Sequence, residues 1–169
     1  MISKTKIQSS LITLNNLFEK FRYRRPNNSG MLVLWFSKLS ILELCGWIEE
    51  SIDLIILTEA KRRLNTLEKI KIETMVAKNS SFTYEKHFRK MLESSLGAVN
   101  VDNLENNLDV ATFLKMKASL STLKSNRDKL AHTFVKGVTT IIDAPSATID
   151  HFKYVYTGLK EIEKHIRKI

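Results

Sequence analysis

MLVLWFSKLSILELCGWIEESIDLIILTEAKRRL occupies positions 31 to 64, and the way it folds decides the rest of the chain. It contains no proline and is apolar around most of its girth, so it reads as one long helix at the centre of a bundle. On a helical wheel, Ser40, Glu43, Glu50 and Ser51 form a narrow polar strip. Glu49 falls elsewhere, among Leu42, Cys45, Ile52 and Ile56. A carboxylate amid aliphatic side chains costs several kcal/mol unless it is paired or neutralised. Glu49 therefore either meets a cation, for which Arg127 is the candidate, or sits at the rim of the apolar stripe and reaches water.

Helices are also expected on both sides of this segment. From about Ile2 to Phe21, Ile7, Leu11, Leu14, Leu17, Phe18 and Phe21 recur at steps of three and four, the mark of an amphipathic helix. RRPNNSG (24 to 30) breaks it. A helix is expected over Thr66–Ala77, stopped by KNSS; Ser81 or Thr83 caps the next, which ends near Gly97. GAVNVDNLENN (97 to 107) reads as a loop. Asp109 or Val110 opens a long helix to about Thr133, and Val138–Asp143 is either a short strand or a loop. The last helix covers about Ala147 to Arg167, with Phe152, Val155, Tyr156, Leu159, Ile162 and Ile166 as its apolar stripe. Without a repeat or linker, residues 1–169 read as a single all-α domain, a bundle of five or six helices.

Composition narrows the function classes. Five Gly and two Pro in 169 residues leave little material for turns and favour long helices. A formal charge of +9 suits nucleic acid or an acidic partner. Cys45 is the lone cysteine, so an intramolecular disulfide and a cysteine metal cluster are both excluded, and its apolar context makes it a small buried hydrophobe. The polar start MISKTKIQSS shows no signal peptide. The longest unbroken apolar run, Met31–Phe36, is far short of the roughly 20 residues of a spanning helix. The expectation is a cytoplasmic protein with no membrane contact. There is no Gly-rich phosphate loop, and His87, His132, His151 and His165 lack metal-ligand spacing, so neither cofactor nor metal is expected. Arg22, Arg24 and Arg25 in RYRR and Lys61, Arg62 and Arg63 in KRR are the densest basic patches. They are either RNA contacts, with Tyr23 stacking on a base, or solvated helix ends.

The chemistry-bearing stretch is NRDKLAHTF, 126 to 134. Its helix carries an apolar stripe of Phe113, Met116, Leu120, Leu123, Leu130 and Phe134, and Arg127 lies in that stripe. A guanidinium there must be paired, must escape along its stem, or must face an interface or ligand. His132 is about 140° further round the helix and about 7.5 Å along it. Asp128 and His132, four apart, share a face, which lets the carboxylate orient the imidazole. One helix does not aim Arg127 and His132 at a single point, but two copies packed across a two-fold axis bring both types to a common cleft. An imidazole for proton transfer and a guanidinium for phosphoryl charge are what phosphodiester cleavage needs.

NRDKLAHTF resembles the signature of the HEPN superfamily, an Arg followed after four to six residues by His. LELCGWIEESID (42 to 53) looks like the Glu-bearing apolar helix of many such domains. The resemblance implies an all-α, homodimeric, metal-independent endoribonuclease, often a toxin or anti-phage effector, with an antitoxin or regulatory protein as a possible partner. It implies Arg127 and His132 as the catalytic pair, Asn126 and Asp128 as supporting polar neighbours, and Glu49 or Glu50 as a further supporting group. HEPN toxins paired with a nucleotidyltransferase antitoxin usually carry Tyr two residues after the His; here Phe134 offers no hydroxyl to modify. The rival reading is a non-catalytic helical dimer that binds RNA or a partner protein, with Arg127 and Asp128 in interface ion pairs.

Overall fold

The computed structural model describes residues 2–23, 29–131 and 141–169, with the backbone alone at Ser29. Among these residues the chain is helical, without a strand. The α-helices are α1 (Thr5–Arg22), α2 (Ser29–Arg63), α3 (Thr66–Lys78), α4 (Arg89–Leu96), α5 (Ala98–Asn106), α6 (Val110–Ala131) and α7 (Pro145–Ile166), with a π-helical segment, Tyr84–Phe88, leading into α4. The residue pattern predicts five or six helices; the difference arises at α5. Within residues 97–107, Ala98–Asn106 folds as a helix where Gly and Asn point to a loop. Val101, Leu104 and Leu108, at steps of three and four, are all buried, and this burial outweighs the weak helix propensity of the asparagines. Gly97, at φ +85°, lets the chain leave α4 and start α5 at once.

The helices divide into two compact units. The first comprises residues 2, 48–121 and 154–169, and the second 3–47 and 122–153, so that α2, α6 and α7 each contribute to both. The first unit is built on Ile48, Ile52 and Ile56 of α2, Phe82 and Phe88, Leu92 of α4, Met116 and Leu120 of α6, and Val155, Leu159 and Ile162 of α7, each almost wholly buried. α3 enters through a capping box. Asn65 Oδ1 accepts from Glu68 N at 3.0 Å, and Asn65 N donates to Glu68 Oε2 at 3.2 Å. Thr83 sits at the start of the π-helical segment, where its hydroxyl meets His87 Nδ1 at 2.7 Å rather than capping the backbone. Tyr84 packs edge-on to Phe88 and Phe113 at ring-centroid distances of 5.8 and 4.8 Å.

The second unit rests on α1, with Ile7, Leu11, Leu14 and Phe18 buried, and on Ile41, Leu44 and Cys45 of α2. Trp47 is fixed there at both ends of its ring system. Its Nε1 donates to Ser3 O at 2.9 Å, and the ring stands edge-on to Phe152 at 5.4 Å. Ser40, placed on a polar strip by the wheel, is buried: its hydroxyl donates to Ser37 O at 2.8 Å and lies 3.2 Å from the Thr148 hydroxyl. Ser51 is buried as well. The side of α2 that faces solvent is instead Trp35, Leu39, Glu43, Gly46, Glu50, Leu54, Thr58 and Lys61, one stripe at helical period. By length and composition, Gly30–Arg63 is a helix able to cross a membrane, a test that core helices of soluble proteins also pass. Counting only unbroken apolar runs misses this, because single polar residues interrupt a segment whose average stays apolar. Of the Val138–Asp143 alternatives, 138–140 lie outside the described residues, and Ile141–Asp143 has no regular structure.

A side-chain β-carbon added at Gly158 of α7 would come within 2.6 Å of Met116 Cβ on α6. Gly158→Ala is therefore expected to destabilise the fold by about 1–3 kcal/mol through overpacking, although alanine gains about 1 kcal/mol in helix propensity. Urea unfolding of the two proteins measures the sign; a stabilised variant contradicts the close approach.

Candidate active site

α6 places the first half of the motif. Met116, Leu120, Leu123 and Leu130 are buried as the apolar stripe requires, and Phe113 is half-buried. Arg127 lies between Leu123 and Leu130 on that stripe with 22% of its side chain exposed, and its Nε stands 3.4 Å from Asp128 Oδ1. Asp128 is also bonded by Lys124 from one turn earlier. The Lys124 bond, ahead of the charge of Arg127, holds the Asp128 carboxyl below the usual carboxylate range. Asp128 is thus anionic and held by two cations of its own helix. Asn126 is half-buried on the same turn. His132, with Thr133 and Phe134, lies outside the described residues.

Glu49 and Glu50 belong to the first unit and Arg127 to the second. Glu49 is half-buried and Glu50 exposed. Their nearest consequence is on Asp53, one turn on, whose carboxyl is pushed up from 3.8 to about 6, mainly by burial and then by the charges of Glu49 and Glu50. Among the described residues no group of three or more His, Cys, Asp or Glu side chains is arranged to hold a metal.

The basic candidates separate in kind. Arg24 and Arg25 lie outside the described residues. Arg22 stands 3.8 Å from Glu19 and 5.5 Å from the ring centroid of the exposed Tyr23. Lys61 is exposed. Arg62 and Arg63 both grip the buried Glu59: Arg62 Nη2 is 2.8 Å and Arg63 Nε 3.1 Å from Glu59 Oε2. Each also donates from Nη2 to Ile166 O at 3.1 Å. Glu59 is absent from the sequence-based candidates, although its position three and four residues before two arginines is the spacing of helical ion pairs.

A second network escapes the sequence for a better reason. Arg89 pairs with Glu93, Asp102 at 2.6 Å and Glu105 at 2.8 Å, and Glu105 also accepts from the Tyr84 hydroxyl at 2.8 Å. Only Glu93 is within one helical turn of Arg89; the others meet it because α5 folds back beside α4.

No protein-family model, curated protein or solved structure matches the chain.

The acidic turn of α2 makes stability depend on pH. Asp53 has a folded-state pKa above its unfolded one, so its contribution is fully present below about 3.8 and is lost as pH rises through about 6. Asp53→Asn is expected to raise the melting temperature by a few degrees at pH 7.5 and to leave it unchanged at pH 4. Equal shifts at both pH values would contradict a raised carboxyl.

Proposed function

We propose that the chain is a metal-independent endoribonuclease of HEPN type, acting as a cytoplasmic homodimer and serving as a toxin or anti-phage effector. The observation that carries this reading is the position of Arg127. Its side chain is kept largely covered on the apolar stripe of α6, beside an anionic Asp128 and five residues before His132. A largely covered arginine next to a carboxylate is a positioned charge, suited to the phosphoryl oxygens of a pentacovalent phosphate. His132 then serves as base toward the RNA 2′-hydroxyl or as acid toward the leaving oxygen. Because the nucleophile is the substrate's own hydroxyl, the chemistry needs no cofactor.

A second reading has its own support. Asp128 is engaged by Lys124 and Arg127 within α6, the behaviour of a structural ion-pair ladder. In that case the protein is a non-catalytic helical dimer that binds RNA or a partner protein. The two readings part at His132, which only the nuclease requires.

Incubation with total RNA in chelator separates them. The nuclease leaves a cyclic phosphate and a 5′-hydroxyl, and spares DNA, which lacks the 2′-hydroxyl. His132→Ala is expected to slow cleavage by about 10²–10⁴-fold, and Arg127→Ala by about 10²–10³-fold, both with an unchanged helical spectrum. Arg127→Lys restores little, since an ammonium lacks the planar fork. Cleavage that survives His132→Ala, or stops in chelator, removes the nuclease reading.

The two-fold composite site makes a further demand. Light scattering at tens of micromolar is expected to give twice the chain mass; a monomer there contradicts a site shared between two copies.

A further inference from the structure

Arg62 and Arg63 are adjacent cations that converge on the same two acceptors. Glu59, 5% exposed, offers Oε2 to Arg62 Nε at 3.1 Å and Nη2 at 2.8 Å, and to Arg63 Nε at 3.1 Å. Ile166 O in the last turn of α7 accepts from Nη2 of both at 3.1 Å. These bonds use the Nε and Nη2 edge of each guanidinium, and the Nη1 groups have no hydrogen-bond partner among the described residues. The Arg62 side chain is 44% exposed. Two positive charges are thus held side by side by a single buried negative one, which leaves an uncompensated charge with donors already oriented.

More positive charge lies close to Ile166 and Arg62 in sequence. Lys164 and Lys168 flank Ile166 by two residues on either side and are exposed, as is Lys61 at the end of α2. Arg167 pairs with Glu163 at 2.9 Å, and Lys160 pairs with the same carboxylate at 2.7 Å, so the acid next to this turn is already matched. Cations in a last helical turn are ordinary complements to the helix dipole. A buried glutamate there is not, since its charge opposes that of the carbonyl ends. Its effect is to fix two guanidinia in one geometry, and fixed donors spend less entropy on binding an anion than free side chains do.

We propose that the Arg62–Arg63 pair pinned by Glu59, together with Lys61, Lys164 and Lys168, is a phosphate-binding surface for the backbone of single-stranded RNA. The choice of RNA rests on the nuclease reading above; the anion chemistry rests on this geometry. The surface reads charge and spacing, not base identity, because every group in it is a cation that matches phosphate oxygens.

Fluorescence anisotropy of a labelled single-stranded RNA oligonucleotide in chelator tests it, with the full chain and its His132→Ala variant so that cleavage does not erode the probe. Lys164→Glu with Lys168→Glu, at exposed positions without side-chain bonds, is expected to weaken binding about tenfold and to lower the slope of log affinity against log salt by about 0.7 for each phosphate no longer neutralised. Glu59→Gln discriminates further. It makes the protein more positive, so diffuse attraction predicts tighter binding, whereas a pinned pair predicts binding weaker by about threefold or more with the helical spectrum retained. Unchanged affinity in the lysine double variant, tighter binding in Glu59→Gln, or no RNA binding at all overturns the proposal. If binding shifts as expected while no RNA is cut, the surface stands and the nuclease reading falls. If RNA is cut and the variants bind as wild type, the reverse holds.

Discussion

The constraint on which everything else depends is the burial of α2. At 35 residues it runs about 52 Å, and its exposed residues fall mainly on one stripe. Every other side must be covered by another element, which is why α1, α6 and α7 carry apolar stripes of their own. The requirement reaches polar residues too. Ser40 is drawn inside, where its hydroxyl meets a backbone carbonyl and Thr148 in place of water. A hydroxyl is the smallest polar group that tolerates this, because one or two bonds satisfy it. Even the solvent stripe is mixed, with Trp35, Leu39 and Leu54 among Glu43, Glu50 and Lys61.

Charge in this protein is abundant, and what distinguishes one charge from another is how firmly it is held. Among the described residues most lysines are exposed. Three arginines are held by carboxylates that are themselves largely covered, Arg62 and Arg63 by Glu59 and Arg89 by Glu105 and Glu93, with the exposed Asp102 as a further partner of Arg89. Arg127, beside the more exposed Asp128, is covered about as well as Arg63 and Arg89. A held guanidinium is both a structural tie and a preset anion contact, since the fork uses one edge for the protein and keeps another for a ligand. At the α2–α7 end of the first unit, Arg62 and Arg63 are structural ties of this kind, and the proposed anion surface draws on the same side chains.

The acidic turn of α2 behaves oppositely. Glu49, Glu50 and Asp53 lie within one turn, and burial with mutual repulsion lifts one of their protons toward neutrality. A helix whose polar positions are so few concentrates its carboxylates where neighbouring turns bring them together, and the cost appears as a perturbed pKa.

Much of the architecture was legible in the residues alone. The all-helical class, the long central helix, the amphipathic faces of α1 and α7 and the position of Arg127 on an apolar stripe all follow from period and composition, which are local properties of the chain. The motif NRDKLAHTF is local in the same sense, and with it the candidate Arg and His. What the residues did not disclose has a common physical cause. α5 was hidden because asparagine and glycine signal a loop until Val101, Leu104 and Leu108 find a core to enter. Ser40 and Ser51 share a polar strip with Glu43 and Glu50 yet are buried, because polarity predicts exposure only when no neighbour covers the residue. The Arg89 network and the Ile166 carbonyl beneath Arg62 and Arg63 join residues far apart in sequence, and no local pattern carries that distance. The sequence by itself determined that this chain is helical, basic and equipped with an Arg–His motif. Only the tertiary structure decided which of its charges are held, because holding a charge takes a carboxylate or carbonyl delivered by another helix.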